Sequence, residues 1–62
     1  MNTNYFEKVN EKYFDKECWW YNTKYYFQCY YIDDGDVRLM LKDEKGKIHH
    51  FIASIAKIQF SE

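Results

Sequence analysis

The sequence contains no proline and only two glycines among its 62 residues. It therefore lacks the composition of a flexible linker or a low-complexity tail, and we expect a single small domain spanning residues 1–62. Its two cysteines, Cys18 and Cys29, are too few for a disulfide framework, which favours free thiols and a cytoplasmic location. The longest uncharged runs, 25–32 and 48–56, are too short to cross a bilayer.

Neither sign of charge dominates the chain. Nine Lys and Arg residues and ten Asp and Glu residues give a formal net charge of −1. Proteins that bind nucleic-acid backbones generally carry a basic excess, so this balance argues against a general polyanion binder.

No motif for catalysis, a cofactor or a metal is present. Gly35 and Gly46 both fall in turn-like segments, which leaves no glycine-rich phosphate loop. His49 and His50 are adjacent on a predicted strand, so their side chains point to opposite faces and do not readily share one metal. We therefore expect a non-enzymatic protein without a cofactor.

Aromatic residues are the feature that the chain has in excess. Seven Tyr, five Phe and two Trp make 14 of the 62 residues aromatic. A chain of this size buries only about 60% of the surface that it exposes when unfolded. The rings therefore either fill a very small core or form a contact surface, and both interpretations remain open.

The pattern of apolar residues predicts an α+β fold, with a short N-terminal helix packed on a four- to five-stranded antiparallel meander. The helix is expected at 5–15, because Asn4 and Glu7 have the spacing of a capping box and Phe6, Val9 and Tyr13 recur on one side. The predicted strands are 18–21, 24–32, 37–42, 48–53 and 56–60. A helix over 53–60 is the alternative for the last segment.

Aromatic residues occupy both faces of the central predicted strand. Strict alternation places Tyr25, Phe27, Cys29 and Tyr31 on one face and Tyr26, Gln28, Tyr30 and Ile32 on the other. One helix covers only one face of a sheet, so a partner protein or a second copy of the chain is expected on the other. The candidate contact residues are Trp19, Trp20, Tyr21, Tyr25, Tyr26, Tyr30 and Tyr31.

Three aspartates, Asp33, Asp34 and Asp36, surround Gly35 between two predicted strands. Such a cluster most simply makes a turn. It could also steer a partner of opposite charge, so these residues are included in the candidate contact surface.

In size and in its aromatic, mildly acidic composition, the chain resembles the small host-takeover and counter-defence proteins of bacteriophages. Its segment 36–47 (DVRLMLKDEKGK) resembles a hairpin in the dimeric phage inhibitor of uracil-DNA glycosylase, and 37–60 resembles the strands of small SH3-like or PH-like barrels. The resemblance implies a homodimeric inhibitor that occludes a bacterial protein, with Trp19, Trp20 and Tyr25 as anchors.

Two other functions remain as alternatives. Aromatic side chains on a sheet can stack the bases of single-stranded nucleic acid, and Lys24, Arg38, Lys42 and Lys57 could follow its backbone. A homodimer could instead sequester a small molecule such as a nucleotide in an aromatic pocket, with Arg38 on the phosphate.

Overall fold

One α-helix and five strands follow one another along the chain in this computed structural model, which describes residues 3–61. They are α1 (Thr3–Tyr13), β1 (Glu17–Trp20), β2 (Thr23–Asp33), β3 (Asp36–Lys42), β4 (Ile48–Ile52) and β5 (Ile58–Phe60), with a 3₁₀ helix at Ile55–Lys57. All five strands form one antiparallel sheet in the order β4-β3-β2-β1-β5. The predicted α+β class is therefore confirmed, and β1 to β4 form the predicted antiparallel meander, whereas β5 leaves it to pair with β1.

Helix α1 begins earlier than the sequence predicts. Thr3 is already helical, so Asn4 lies within the first turn and the predicted capping role of Asn4 is wrong. The predicted apolar side of the helix is correct, because Phe6, Val9 and Tyr13 pack against the core of the sheet. The helix ends at Tyr13, and Asp15 adopts a left-handed φ of 62° as the chain turns into β1.

The strands are joined by turns at the positions that the sequence predicts. Asp34 and Gly35 have φ values of 54° and 81°, the two positive values that a type I′ hairpin turn requires between Asp33 and Asp36. Gly46 has a φ of 87° in the loop between β3 and β4, a conformation that glycine adopts without strain.

An extra residue in β2 changes which side chains face the helix. The pairing of β2 with β3 shifts between Phe27 and Cys29, so Gln28 is a β-bulge. Beyond it, Tyr30 replaces Cys29 on the core side, and Tyr25, Phe27 and Tyr30 are all buried. The predicted alternation is therefore wrong after Phe27, because it assumed a strand without a bulge.

The buried core lies between the helix and the concave side of the sheet. Leu39, Leu41 and Phe27 are fully buried there. The complete buried set is Cys18, Tyr25, Phe27, Tyr30, Leu39, Leu41 and Ile58. The predicted last strand is confirmed, with Ile58 buried in the core, and the helical alternative survives only as the single 3₁₀ turn before β5.

The sheet is strongly curled. Trp20 in β1 and Phe51 in β4 are three strand spacings apart, about 14 Å in a flat sheet, yet their rings stack with centroids 5.1 Å apart. Residues 53–57, which include the 3₁₀ turn, join the two edge strands β4 and β5. So short a connection is possible because curling brings the two edges towards each other.

The side chain of Asn10 attaches the helix to the bulged strand. Its Nδ2 donates to the carbonyl oxygen of Tyr30 at 3.1 Å, and its Oδ1 accepts from the backbone N–H of Tyr30 at 2.7 Å. The amide thus takes the place of a neighbouring strand just beyond the bulge, because the pairing of β1 with β2 extends only to Tyr26.

Asp43 organises the loop between β3 and β4. Its Oδ1 accepts from the backbone N–H groups of Lys45 and Lys47, each at 2.9 Å, and its Oδ2 lies 2.8 Å from Nε2 of His49. The hydrogen bond with His49, followed by that with the Lys47 backbone, lowers the pKa of Asp43 from its ordinary value of 3.8. The loop therefore favours the ionised carboxylate.

We predict that Asn10→Ala destabilises the protein by about 1–3 kcal/mol, because it removes the hydrogen bonds that Asn10 makes with the N–H and the carbonyl oxygen of Tyr30. Urea unfolding followed by circular dichroism measures the change. Glu11→Ala, an exposed position on the same helix, is the matched control and should change stability much less. Equal effects of the two substitutions would contradict the role assigned to Asn10.

We also predict an acid-dependent contribution from Asp43. Its folded-state pKa is lowered, so its contribution is complete above the unfolded value and is lost as pH falls through the lower, folded value. The wild type should therefore be more stable than Asp43→Asn near neutral pH, and the difference in unfolding free energy should shrink once the pH falls below 3.8. A stability difference between the wild type and Asp43→Asn that stays constant from neutral pH to below pH 3.8 would contradict this assignment.

Candidate functional site on the outer face of the sheet

The side of the sheet away from the helix carries rings and charges together. Residues paired across antiparallel strands share a face, so the pairs Glu17–Tyr26, Trp19–Lys24 and Tyr31–Arg38 identify this side. We call it the outer face. Its aromatic and basic residues are Trp19, Lys24, Tyr26, Tyr31, Arg38 and Lys42.

The structure separates the seven aromatic candidates into two groups. Tyr25 and Tyr30 are buried in the core, and Trp20 is partly buried and packs against it. These three rings therefore offer less surface to a partner, and their role as contacts stays a prediction. The other four, Trp19, Tyr21, Tyr26 and Tyr31, remain at least partly exposed.

Trp19 and Tyr21 stand beside a groove at the turn between β1 and β2. Tyr21 is 79% exposed and adopts a φ of 57°, a conformation that is uncommon for a bulky residue. The groove has a volume of about 440 Å³, and Ala56, Lys57 and Gln59 line its other side. A strained and exposed tyrosine beside a groove is a feature typical of a contact surface.

Lys24 is held between a carboxylate and a ring. Its Nζ lies 3.0 Å from Glu17, 3.6 Å from Glu44 and 5.6 Å from the centre of the Tyr26 ring. The hydrogen bond with Glu17 is the main cause that raises the pKa of Lys24. The charge of this lysine is therefore already matched within the chain.

The other two cations of the outer face have carboxylate partners as well. Nζ of Lys42 lies 3.6 Å from Asp15, and the guanidinium of Arg38 lies 3.9 Å from Asp33 and 4.0 Å from Asp36. Exposed pairs of this kind contribute little stability, but they make the face close to electrically neutral.

The acidic tip of the β2–β3 hairpin lies at the far end of this face. Asp33, Asp34 and Asp36 are all exposed, and Arg38 beside them balances only one of their three charges. The tip therefore keeps a net negative charge next to the rings of the outer face. Its role as a turn is confirmed, whereas its role in steering a partner stays a prediction.

Sequence reasoning missed three members of the outer face, namely Cys29, Met40 and His50. Met40 pairs with Cys29 on one side and with His50 on the other, which places all three in one row across the sheet. The hydroxyl of Tyr31 lies 2.9 Å from Nδ1 of His50. Gln28 is the one polar residue in the aromatic run, and a polar side chain there is consistent with a bulge. It was therefore the available sequence signal that Cys29 lies on the outer face.

The two cysteines lie on opposite sides of the sheet. Cys18 is in the core, and burial raises the pKa of its thiol to about 11, whereas Cys29 is partly exposed on the outer face. The two thiols therefore do not share a site. Within residues 3–61, no group of three or more His, Cys, Asp and Glu side chains is arranged to hold a metal ion.

A second groove, of about 460 Å³, runs between α1 and the end of the chain. Val9, Tyr13, Ile55, Ile58 and Phe60 give it an apolar lining, and Lys8 and Lys12 lie at its border. It does not include Arg38, the residue that the nucleotide-binding alternative places on the phosphate. That alternative therefore gains no support from this groove.

Comparisons of the chain with known protein families, curated proteins and solved structures give no match. The roles of its residues therefore rest on the geometry above. Among the helices of the described part of the chain, none has the length and apolar character needed to cross a membrane.

We predict that a thiol-specific reagent modifies Cys29 and spares Cys18 in the native protein. At neutral pH the Cys18 thiol stays protonated and is out of contact with solvent. Mass spectrometry of the native protein should show one adduct, and denaturant should allow a second. Cys29→Ser should remain unmodified until it unfolds, and rapid native labelling of that variant would contradict the burial of Cys18.

Proposed function

We propose that this chain is a non-enzymatic binding protein that docks onto another protein through its outer face and blocks a functional surface there. It would be an inhibitor of the kind that bacteriophages direct against bacterial defence or nucleic-acid-processing proteins. The observation that carries the proposal is the combination of partly exposed rings with cations that are already paired. Trp19 and Tyr26 are partly exposed, while Lys24 between them is bonded to Glu17.

This combination favours a protein partner over single-stranded nucleic acid. A nucleic-acid groove offers unpaired cations to phosphates and gains affinity from the release of counterions. A phosphate would have to displace Glu17 from Lys24, Asp15 from Lys42 and the hairpin aspartates from Arg38. Among residues 3–61, only Lys57 of the four cations of this alternative has no carboxylate partner, and it lies beside the Trp19 groove. Aromatic rings in neutral surroundings instead match the centre of a protein–protein interface.

The acidic tip specifies the chemistry of the partner. Asp33, Asp34 and Asp36 lie near Tyr31, at the end of β2 opposite Trp19, and would accelerate association with a surface of opposite charge. The expected partner therefore presents an apolar pocket for Trp19 and Tyr21 and, about 30 Å away along β2, lysine or arginine residues that face the tip.

We predict that Trp19→Ala weakens binding of such a partner by about 2 kcal/mol, or roughly thirtyfold, because buried tryptophans dominate the energy of interfaces. The partner is captured from bacterial lysate on the immobilised wild type, identified, purified and titrated against each variant by calorimetry. Phe14→Ala is the matched control, since Phe14 is a ring that is 62% exposed at the end of the helix.

Tyr21→Asn is the second variant. Asparagine tolerates the left-handed conformation of this turn better than tyrosine does, so the fold should be kept or slightly stabilised while the exposed ring is lost. Binding should weaken although thermal stability does not. A captured protein that binds Trp19→Ala and Tyr21→Asn as tightly as the wild type would contradict the proposal, as would tight, salt-sensitive binding of single-stranded oligonucleotides.

A further inference from the structure

Strand β4 leaves one edge of the sheet open. Its sequence, Ile-His-His-Phe-Ile, contains no proline, lysine or acidic residue, the residues that usually protect such an edge from pairing. Ile48 is 41% exposed and Ile52 is 63% exposed, and His50 between them is exposed as well. The opposite edge strand, β5, has only three residues.

The ladder with β3 determines which backbone groups of β4 point outward. The N–H of Asp43 donates to the carbonyl oxygen of Lys47 at 2.9 Å, so Asp43 and Lys47 form a hydrogen-bonded pair. Along an antiparallel ladder, hydrogen-bonded pairs alternate with pairs that are not hydrogen-bonded. His49 and Phe51 then bond to β3, and the N–H and C=O groups of Ile48, His50 and Ile52 point away from it. The same three residues therefore offer exposed side chains and outward-facing backbone groups.

We propose that a second copy of this chain pairs with β4 edge to edge, in an antiparallel dimer whose two-fold axis passes beside His50. In that register His50 faces its own counterpart, and Ile48 of each copy faces the partner's Ile52. The exposed residues of this edge form a symmetric series, because an isoleucine lies two positions before His50 and another lies two positions after it. A second copy is therefore complementary to it in both shape and chemistry.

The paired isoleucines would bury apolar surface that the single chain leaves open, and the outward backbone groups would complete a continuous sheet through the dimer. Ile48, His50 and Ile52 form the border of the outer face, because they pair with Lys42, Met40 and Arg38, whereas Trp19 lies on β1, which β2 and β3 separate from β4. Substitutions on β4 and a substitution at Trp19 therefore test the two proposals separately.

Charge substitutions at the two isoleucines test the register. Ile48→Lys and Ile52→Glu should each weaken dimerisation by about tenfold or more, because each places two charges against apolar partners. When the two variants are mixed in equal amounts, the lysine of one chain meets the glutamate of the other, and dimers should reappear as heterodimers. Sedimentation velocity from micromolar to submillimolar concentrations measures all three samples.

Ile32→Lys is the matched control, since Ile32 is a similarly exposed isoleucine on β2 and should leave the dimer intact. Trp19→Ala should also dimerise like the wild type, which separates this proposal from the docking proposal. A wild type that stays monomeric at submillimolar concentration would overturn the inference. Single variants that dimerise normally, or a mixture that associates no better than its components, would do so too.

Discussion

In β2, the extra residue at Gln28 decides which aromatic rings are hidden and which are exposed. A strand has a side-chain period of two, so a single insertion reverses the face of every residue that follows. Tyr30 turns towards the helix, while Cys29 and Tyr31 turn outward. Asn10 holds this arrangement in place, because its amide bonds both backbone groups of Tyr30 where the sheet supplies no neighbouring strand. The core, the position of the helix and the outer face all depend on that bulge.

The parts of the fold that local patterns control could be predicted from the sequence. The alternation of Val37, Leu39 and Leu41 identified β3, and the glycines at 35 and 46 identified the two hairpin turns, because these signals depend only on neighbouring residues. The end of the helix and the bulge could not be predicted in the same way. Both depend on contacts across the sheet, such as the N–H of Asp15 bonding to the carbonyl oxygen of Phe27.

The sequence predicted that the candidate site would be aromatic, but it did not predict which aromatic residues belong to it. Fourteen aromatic residues in 62 implied that some rings would be exposed, yet periodicity alone could not tell Tyr25 and Tyr30 from Tyr26 and Tyr31. The charge pairing could not be predicted either. Lys24 contacts Glu44 because the hairpins bring together residues that are 20 positions apart in the sequence. That pairing is what favours the proposed protein partner over single-stranded nucleic acid.

The curl of the sheet connects the two proposals. Because the sheet bends around its core, the edge strand β4 and the turn that carries Tyr21 lie at different sides of one convex surface. Two copies paired along β4 would place their outer faces side by side, with the rings around Trp19 at the two far ends. Such a dimer would hold two identical docking surfaces at a fixed separation. A target with two copies of the matching pocket would then be bound with higher avidity than either contact provides, since the second contact becomes intramolecular once the first has formed.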